Sequence, residues 1–196
     1  RASGFIANAV TRSGANAWHG VGYFYTKNQY LNANDFQSNL IGQKRLDLSE
    51  YQPGFSAGGP IRKDRIFLAS AFEHLRSRST QPPACMALPT TAFAGAAPSP
   101  ITRDLLARFP VSASIRNAPS CATLTPLPGG AEGRLVARPV AVDRNVMMQR
   151  VDIPFGAGKH KFMGRYALSR VSRPNYLWSA YDDFISGLDD NTDSVA

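Results

Sequence analysis

The residues whose types and spacing best suit covalent chemistry surround Ser56. The stretch 54–58 (GFSAG) satisfies the G-x-S-x-G pattern that presents a nucleophilic serine in α/β-hydrolases. His74 or His160, with one of several aspartates, could complete a triad. Such a serine needs a helix directly after it to help build the oxyanion hole, but residues 59–60 (GP) lead into a charged turn. We therefore expect Ser56 to be an ordinary strand serine, and a serine hydrolase is only the third functional hypothesis.

The other side chains that could bind phosphate or a metal are isolated. The stretch 156–159 (GAGK) resembles a phosphate-binding loop, but the Walker spacing and the Ser or Thr after the lysine are missing. His19, His74 and His160 show no spacing that would place two imidazoles on one face at ligand distance. We expect a turn at 156–159, no cofactor, no metal site and no enzymatic activity.

The two cysteines lie in one long connection that also holds most of the prolines. Cys85 and Cys121 are far apart, and neither belongs to a C-x-x-C pair of the kind that binds zinc or cycles redox equivalents. In an oxidising compartment they could form a disulfide that restrains the connection. Two unpaired thiols are the open alternative.

The chain is strongly basic, but its basic residues do not form a cluster. The formal net charge is +8, yet the basic residues are scattered from Arg1 to Arg173 instead of clustered. Scattered charge is typical of a solvated surface, so we expect no nucleic-acid partner. No apolar run approaches the roughly 18 residues that a membrane helix requires, so contact with a bilayer would have to use strands.

Five segments have the composition and the period-two alternation of β-strands. They begin at Trp18, Tyr51, Ile66, Val146 and Lys161. Tight turns are predicted at 62–65 and 156–160, where charged or Gly-rich residues separate two strands. Longer connections occupy 31–50 and 77–143, and the second contains one short helical pattern at 101–109 between two prolines.

The last two strands show the clearest separation of faces. One face is predicted to carry Met147, Val151, Ile153 and Phe155 from the first strand, and Phe162, Gly164, Tyr166 and Leu168 from the second. The opposite face carries Arg150, Asp152, Lys161, Met163, Arg165 and Ser169. One face is thus apolar and the other charged, as in a strand between two different environments.

The order of strands and connections predicts an all-β, antiparallel transmembrane β-barrel. If the strands form a meander, both tight turns lie at one end and the long loops at the other, as periplasmic turns and extracellular loops do in outer-membrane barrels. Polar side chains would then face the lumen; the candidates are Gln52, Ser56, Arg150, Asp152, Lys161 and Arg165. About five strands cannot close a barrel, and Arg1 stands where a methionine would begin a whole protein. We therefore interpret the chain as a fragment.

Three stretches resemble the junction between plug and barrel in TonB-dependent receptors of the Oar-like branch. They are 8–20 (NAVTRSGANAWHG), 28–36 (NQYLNANDF) and 55–76 (FSAGGPIRKDRIFLASAFEHLR). The residues that carry the resemblance are Thr11, Ser13, Gly14, Asn16, His19, Gly20, Gly58, Gly59, Pro60, Lys63, Asp64 and Phe67. The block around 58–67 is the most specific part.

The resemblance implies a domain plan and a function. Residues 1–14 would be the C-terminal end of the plug, and 15–196 the N-terminal part of the barrel in the outer membrane of a Gram-negative bacterium. The whole receptor would contact outer-membrane lipid and its own plug, and would import an unidentified ligand with energy passed on by TonB. The second hypothesis is a surface barrel that binds carbohydrate or matrix without transport.

Overall fold

The computed structural model describes residues 11–34, 36–40, 42, 44–113, 115–117, 121 and 131–196. In chain order the strands are β1 (His19–Asn28), β2 (Leu48–Arg62), β3 (Ile66–Thr80), β4 (Ala84–Pro89), β5 (Arg116–Asn117), β6 (Ala131–Val136), β7 (Pro139–Phe155), β8 (His160–Leu177) and β9 (Ser186–Val195). The helices are α1 (Phe36–Leu40), α2 (Thr91–Ala96) and α3 (Pro100–Arg108). The expected all-β, antiparallel architecture is confirmed.

Six strands form one antiparallel sheet, here called the wall, in the order β1-β2-β3-β7-β8-β9. Residues 63–65 join β2 to β3 and residues 156–159 join β7 to β8, and both turns lie at the same end of the wall. The connections at the other end are 29–47, 81–138 and 178–185. Gly156 (φ 61°) and Gly158 (φ 84°) supply the left-handed conformation that the second turn needs. The predicted one-sided pattern of turns and loops is confirmed.

The register separates the wall into two faces. Phe55, Phe72, Met147 and Leu168 are directly opposed in one row, and this side is called the apolar face. The next row places Ser56, Ala71, Met148 and Ala167 on the other side, which is called the charged face because it carries Arg150, Asp152 and Lys161. Cross-strand partners share a face and successive residues alternate, so the two predicted faces of the last hairpin are confirmed.

The apolar face continues over a band of limited height. Along β7 it extends from Phe155 to Met147, roughly 27 Å at about 3.4 Å per residue, which is comparable with the apolar band of about 25 Å on membrane barrels. Its large side chains are exposed: Phe55, Phe155 and Phe162 retain 45%, 54% and 58% of their accessible surface. The ends of β3 and β7 beyond this band, residues 74–80 and 139–145, turn polar on the same face.

The long connection 81–138 builds a second, smaller unit with the loop 178–185, here called the cap. Its described part holds a three-stranded sheet in the order β4-β6-β5, together with α2 and α3. Leu88, Ile115, Val136 and Ala180 are buried against one another, and Trp178 packs on them. The backbone N–H of Ser112 donates to the carbonyl of Ala180 at 2.9 Å, which ties the two loops together.

Four details differ from expectation. The wall has six strands instead of about five, because the polar stretch Ser186–Val195 pairs with β8. The long loop is 81–138 instead of 77–143, since β3 and β7 pair out to Thr80 and Pro139. Its described part contains two helices instead of one, because α2 also forms, with Thr90 as a cap that accepts from the backbone N–H of Phe93. Strand β2 continues to Arg62, so the first turn begins at residue 63 instead of residue 62.

The wall is an open sheet with β1 and β9 at its edges. Within the described residues, no helix is long and apolar enough to span a membrane.

Candidate functional site: the charged face of the wall

The strongest electrostatic cluster lies on the charged face, near the short turns. Asp152 is 1% exposed, and its carboxylate accepts from Arg150 Nε at 2.9 Å and Nη2 at 3.0 Å. Lys161 Nζ lies 3.0 Å from the same carboxylate, because Pro154 opposite Lys161 brings it onto this face. A buried carboxylate is tolerated only with such partners, so Asp152 fixes both cations on the wall.

Arg165 lies directly across from Arg150 on β8. Among the described residues its side chain has no hydrogen bond or ion pair, and its buried Nε has no partner. Asp152 binds Arg150 and Lys161, and Arg165 is left without an acidic partner. Arg165 therefore faces the like charge of Arg150, and like charges directly opposite each other on a sheet repel. The six polar residues predicted for the lumen all lie on this charged face: Gln52, Ser56, Arg150, Asp152, Lys161 and Arg165.

Residues 11–17, here called the strap, cross the charged face before β1 begins. Arg150 Nη1 donates to the carbonyl oxygen of Thr11 and, at 2.8 Å, to its Oγ1. The guanidinium thus binds Asp152 through one edge and Thr11 through the remaining nitrogen. The strap is therefore bonded to β7, which is 139 residues away in sequence.

Gly14 holds the middle of the strap against β2 and β3. A Cβ atom there would lie 2.5 Å from the carbonyl oxygen of Leu68, 2.9 Å from that of Gly59 and 3.0 Å from Cβ of Phe67. No side chain fits, so glycine is required by close approach to two backbones.

Asn16 fastens the strap to the turn between β2 and β3. Its Nδ2 donates to Oδ1 of Asp64, and the backbone N–H of Asp64 donates to its Oδ1 at 2.8 Å. Asp64 adopts φ 60°, a conformation that aspartate tolerates better than most residues. Thr11, Gly14, Asn16 and Asp64, which carry the family resemblance, are thus contact points between strap and wall.

Two further motif glycines make room for Trp18 and for the backbone of β2, and the other motif residues lie in the β2–β3 hairpin or beside a cavity. A Cβ on Gly59 would overlap the indole of Trp18, and one on Gly20 would lie 2.8 Å from the carbonyl oxygen of Ser56. Pro60 is paired with Phe67, Lys63 is exposed in the turn, and Ser13, His19 and Gly58 border a cavity. The predicted plug end, 1–14, is described only from Thr11 onward, and residues 1–10 lie outside the described part.

A cavity of about 260 Å³ lies beside the strap. Its lining includes Arg12, Ser13, His19, Ser56, Ala71 and Met148. Ser56 borders it, but the two histidines suggested for a triad do not: His74 is on the apolar face, where its Nδ1 lies 2.7 Å from Oδ1 of Asn145, and His160 stacks on Phe155 beside the second turn.

Sequence reasoning missed a second polar cluster on the charged face. Glu73 accepts from the hydroxyl of Tyr23 at 2.9 Å and from Arg144 Nη2 at 2.6 Å. The partners are 50 and 71 residues from Glu73 in sequence. No local pattern links them, and only the antiparallel register places them on neighbouring strands.

Beyond the apolar band, Arg78 Nη2 lies 2.6 Å from Oδ2 of Asp143. The hydrogen bond from Arg78, with the nearby charge of Arg76, lowers the pKa of the Asp143 carboxyl. This pair connects the outer ends of β3 and β7 where the strands leave the apolar band.

In the cap, Cys85 and Cys121 form a disulfide with a Cα–Cα separation of 5.5 Å. The bond joins β4 to a segment next to β5, and Cys121 is completely buried. A groove of about 160 Å³ between α2, α3 and Tyr181 is lined by Thr91, Leu106, Phe109 and Arg134, among others. In the described part of the chain, no group of His, Cys, Asp or Glu could hold a metal ion.

Comparison with known proteins gives one match. The family model for the outer membrane beta barrel domain matches residues 10–196. No curated protein and no solved structure matches the chain significantly.

Proposed function

The chain belongs to the outer membrane β-barrel domain family, and on that premise we propose that it forms part of a TonB-dependent receptor that imports a ligand through a plugged barrel. The family assignment puts the protein in the outer membrane of a Gram-negative bacterium, in contact with outer-membrane lipid. The exposed apolar face of the wall is suited to that contact. In a complete barrel, further strands would pair with the open edges of β1 and β9.

The observation that carries the proposal is the strap. A simple pore needs no chain across its inner face, whereas a plugged importer needs a segment that leads from an inner obstruction into the first strand. Residues 11–17 run along the charged face and are bonded to β7 at Thr11 and to the turn between β2 and β3 at Asn16 before β1 begins. This arrangement supports the end of a plug at residues 1–14.

The proposed mechanism involves no covalent step. The wall supplies a polar inner surface, the plug blocks it, and energy delivered by TonB displaces the plug so that solute passes. Ser56, the only nucleophile that the sequence singled out, has neither His74 nor His160 beside it, which supports transport without catalysis.

The experiment that tests this function uses the full-length protein in cells and in proteoliposomes. Cells that express it should accumulate the ligand only with an intact proton-motive force and a functional TonB protein. A protonophore should abolish accumulation while leaving surface binding unchanged. Accumulation that survives the protonophore, or binding without any accumulation, would exclude energised import.

The cap favours a second candidate function, a surface barrel that binds carbohydrate or matrix without transport. A loop that only connects two strands does not need a disulfide, a buried cluster and a contact with the neighbouring loop, and the cap has all three. If this is the function, cells that express the protein should bind carbohydrate or matrix, and they should lose this binding when the cap is removed. The protonophore should have no effect on the binding.

A further inference from the structure

We propose that Arg150 is a latch that holds the strap on the wall, and that its release from Thr11 opens the cavity beside the strap. The inference rests on the proposed function, because an importer needs an inner segment that can be displaced. It adds the place at which displacement begins and the residue that controls it.

Arg150 is preorganised for this role. Two of its nitrogens are bound to Asp152, at 2.9 Å and 3.0 Å, and Asp152 is fixed in turn by Lys161 at 3.0 Å. The guanidinium therefore keeps its position whether or not the strap is present. Its Nη1 is left for Thr11, which offers a carbonyl oxygen and a hydroxyl side by side. The wall thus carries a rigid donor that matches a pair of acceptors on the strap.

The three attachment points of the strap differ in how easily they can part. Asn16 is only three residues before β1 and is bound to the turn at Asp64, so it remains near the wall whatever happens upstream. Gly14 lies between the backbones of β2 and β3 without any side-chain bond. Among the attachment points in the described residues, Thr11 is the farthest from β1, and Arg150 is the side chain that bonds it. Opening should therefore start at Thr11 and proceed towards Asn16.

The cavity lies where such opening would be effective. Arg12 and Ser13 of the strap form one side of it, and Ser56, Ala71 and Met148 of the wall form the other. Its volume of about 260 Å³ is sufficient for several water molecules, and it already communicates with the surface. Lifting Thr11 moves the adjacent Arg12 and Ser13 away from the wall and widens this space into a water path.

Arg165 provides a matched control. It is the same residue type on the same face, directly opposite Arg150, but in the described residues its side chain makes no hydrogen bond or ion pair with the strap or with an acid. Removal of either guanidinium changes the charge of the wall equally. Only the loss of Arg150 removes bonds to Thr11.

The test measures ion conductance of the full-length protein in planar bilayers, without ligand and without TonB. Relative to wild type, Arg150→Met should raise the time-averaged conductance about tenfold, as expected for the loss of a charged hydrogen-bond donor. Arg165→Met should leave it unchanged. Thr11→Val, which removes only the hydroxyl acceptor, should raise it about threefold. Equal conductance of Arg150→Met and Arg165→Met would overturn the latch.

Arg150→Met also removes a partner of Asp152 and could prevent folding, so Thr11→Val and Arg150→Lys keep the test decisive. Thr11→Val leaves the wall unaltered, and an unchanged conductance for it would overturn the proposal by itself. Arg150→Lys keeps the charge beside Asp152 but lacks the second donor, so it should conduct like Thr11→Val. Because no ligand or energy source is used, failure of the latch is distinguishable from failure of import.

Discussion

The wall and the cap bury opposite kinds of side chain although they are parts of one chain. In the wall, Phe55, Phe72 and Met147 face outward, while the most buried side chain is the carboxylate of Asp152. In the cap, Leu88 and Val136 are buried against each other, and the charged side chains of Asp104 and Arg108 are exposed. The cap buries its apolar side chains, as a domain in water does, whereas the wall exposes apolar side chains and buries a charged one.

The difference shows that two solvents act on the same sequence. Water surrounds the cap, so the hydrophobic effect drives its few apolar residues together. Lipid contacts one face of the wall, where the exposure of apolar side chains has no free-energy cost. The wall is ordered by the backbone hydrogen bonds between its strands. The two units should therefore be destabilised by different changes. The cap should be sensitive to changes in its small core, and the wall to charges on its exposed apolar face.

The largest effect is expected when the disulfide is removed, because this should destabilise the cap and leave the wall intact. Replacement of Cys85 and Cys121 by Ser should destabilise the cap by about 4 kcal/mol, because the bond restrains a loop of 36 residues in the unfolded state. Limited proteolysis of the full-length protein should then cleave within 81–138, while the wall keeps its heat-resistant electrophoretic mobility. Loss of that mobility together with the cap would show that the units are not independent.

The next prediction concerns the two faces of the wall. Val151→Arg should destabilise the folded barrel by about 3 kcal/mol, because it places a cation on the apolar face at the middle of the lipid-facing band. Met148→Arg is the matched control on the same strand, since Met148 lies on the charged face beside the cavity and a guanidinium there can reach water. The free energy of unfolding in lipid vesicles, from a urea titration, measures both. Equal losses would contradict the assignment of the faces.

A smaller effect is expected in the core of the cap. Leu88→Ala should cost the cap about 2 kcal/mol, at the low end for a buried leucine because the cluster is small and can partly collapse. The same change at Leu105, which is 53% exposed, should cost less than about 0.5 kcal/mol. Protease cleavage rates within 81–138 compare the two, and equal rates would mean that the cap has no functioning core.

The smallest effect concerns pH and the ion pair where the wall leaves the apolar band. The pKa of Asp143 is lowered in the folded state, so its pair with Arg78 stabilises the protein above the unfolded-state pKa and is lost as the pH falls through the lower folded-state value. Both side chains are partly exposed, so the effect should be below about 1 kcal/mol. Asp143→Asn should abolish this part of the acid dependence of unfolding, and an identical acid profile would rule out a contribution from the pair.

Much of the wall could be predicted from the sequence because its signals are local. Alternation identified the faces of 146–155 and 161–171, and glycine and charged residues identified both short turns. The sixth strand was not predicted, since Ser186–Val195 is polar and fully exposed and has strand structure only by pairing with β8. In the cap, prolines and small residues predicted one connection with a helix, but not the sheet β4-β6-β5, whose strands meet only after the loop closes.

The candidate site could likewise be predicted only in part. The sequence by itself determined which residues could face a polar interior, because a period of two assigns Arg150, Asp152, Lys161 and Arg165 to one face wherever the strand lies. It also predicted the two short turns, whereas the close backbone approach that requires Gly14 is visible only in the structure. Only the tertiary structure decided which charges meet: Arg150 with Thr11, and Glu73 with Tyr23 and Arg144. The physical reason is that these partners are 50 to 139 residues apart in sequence and meet only when the wall has formed. The register of its strands is set by all their pairings together, and no local stretch of sequence contains it.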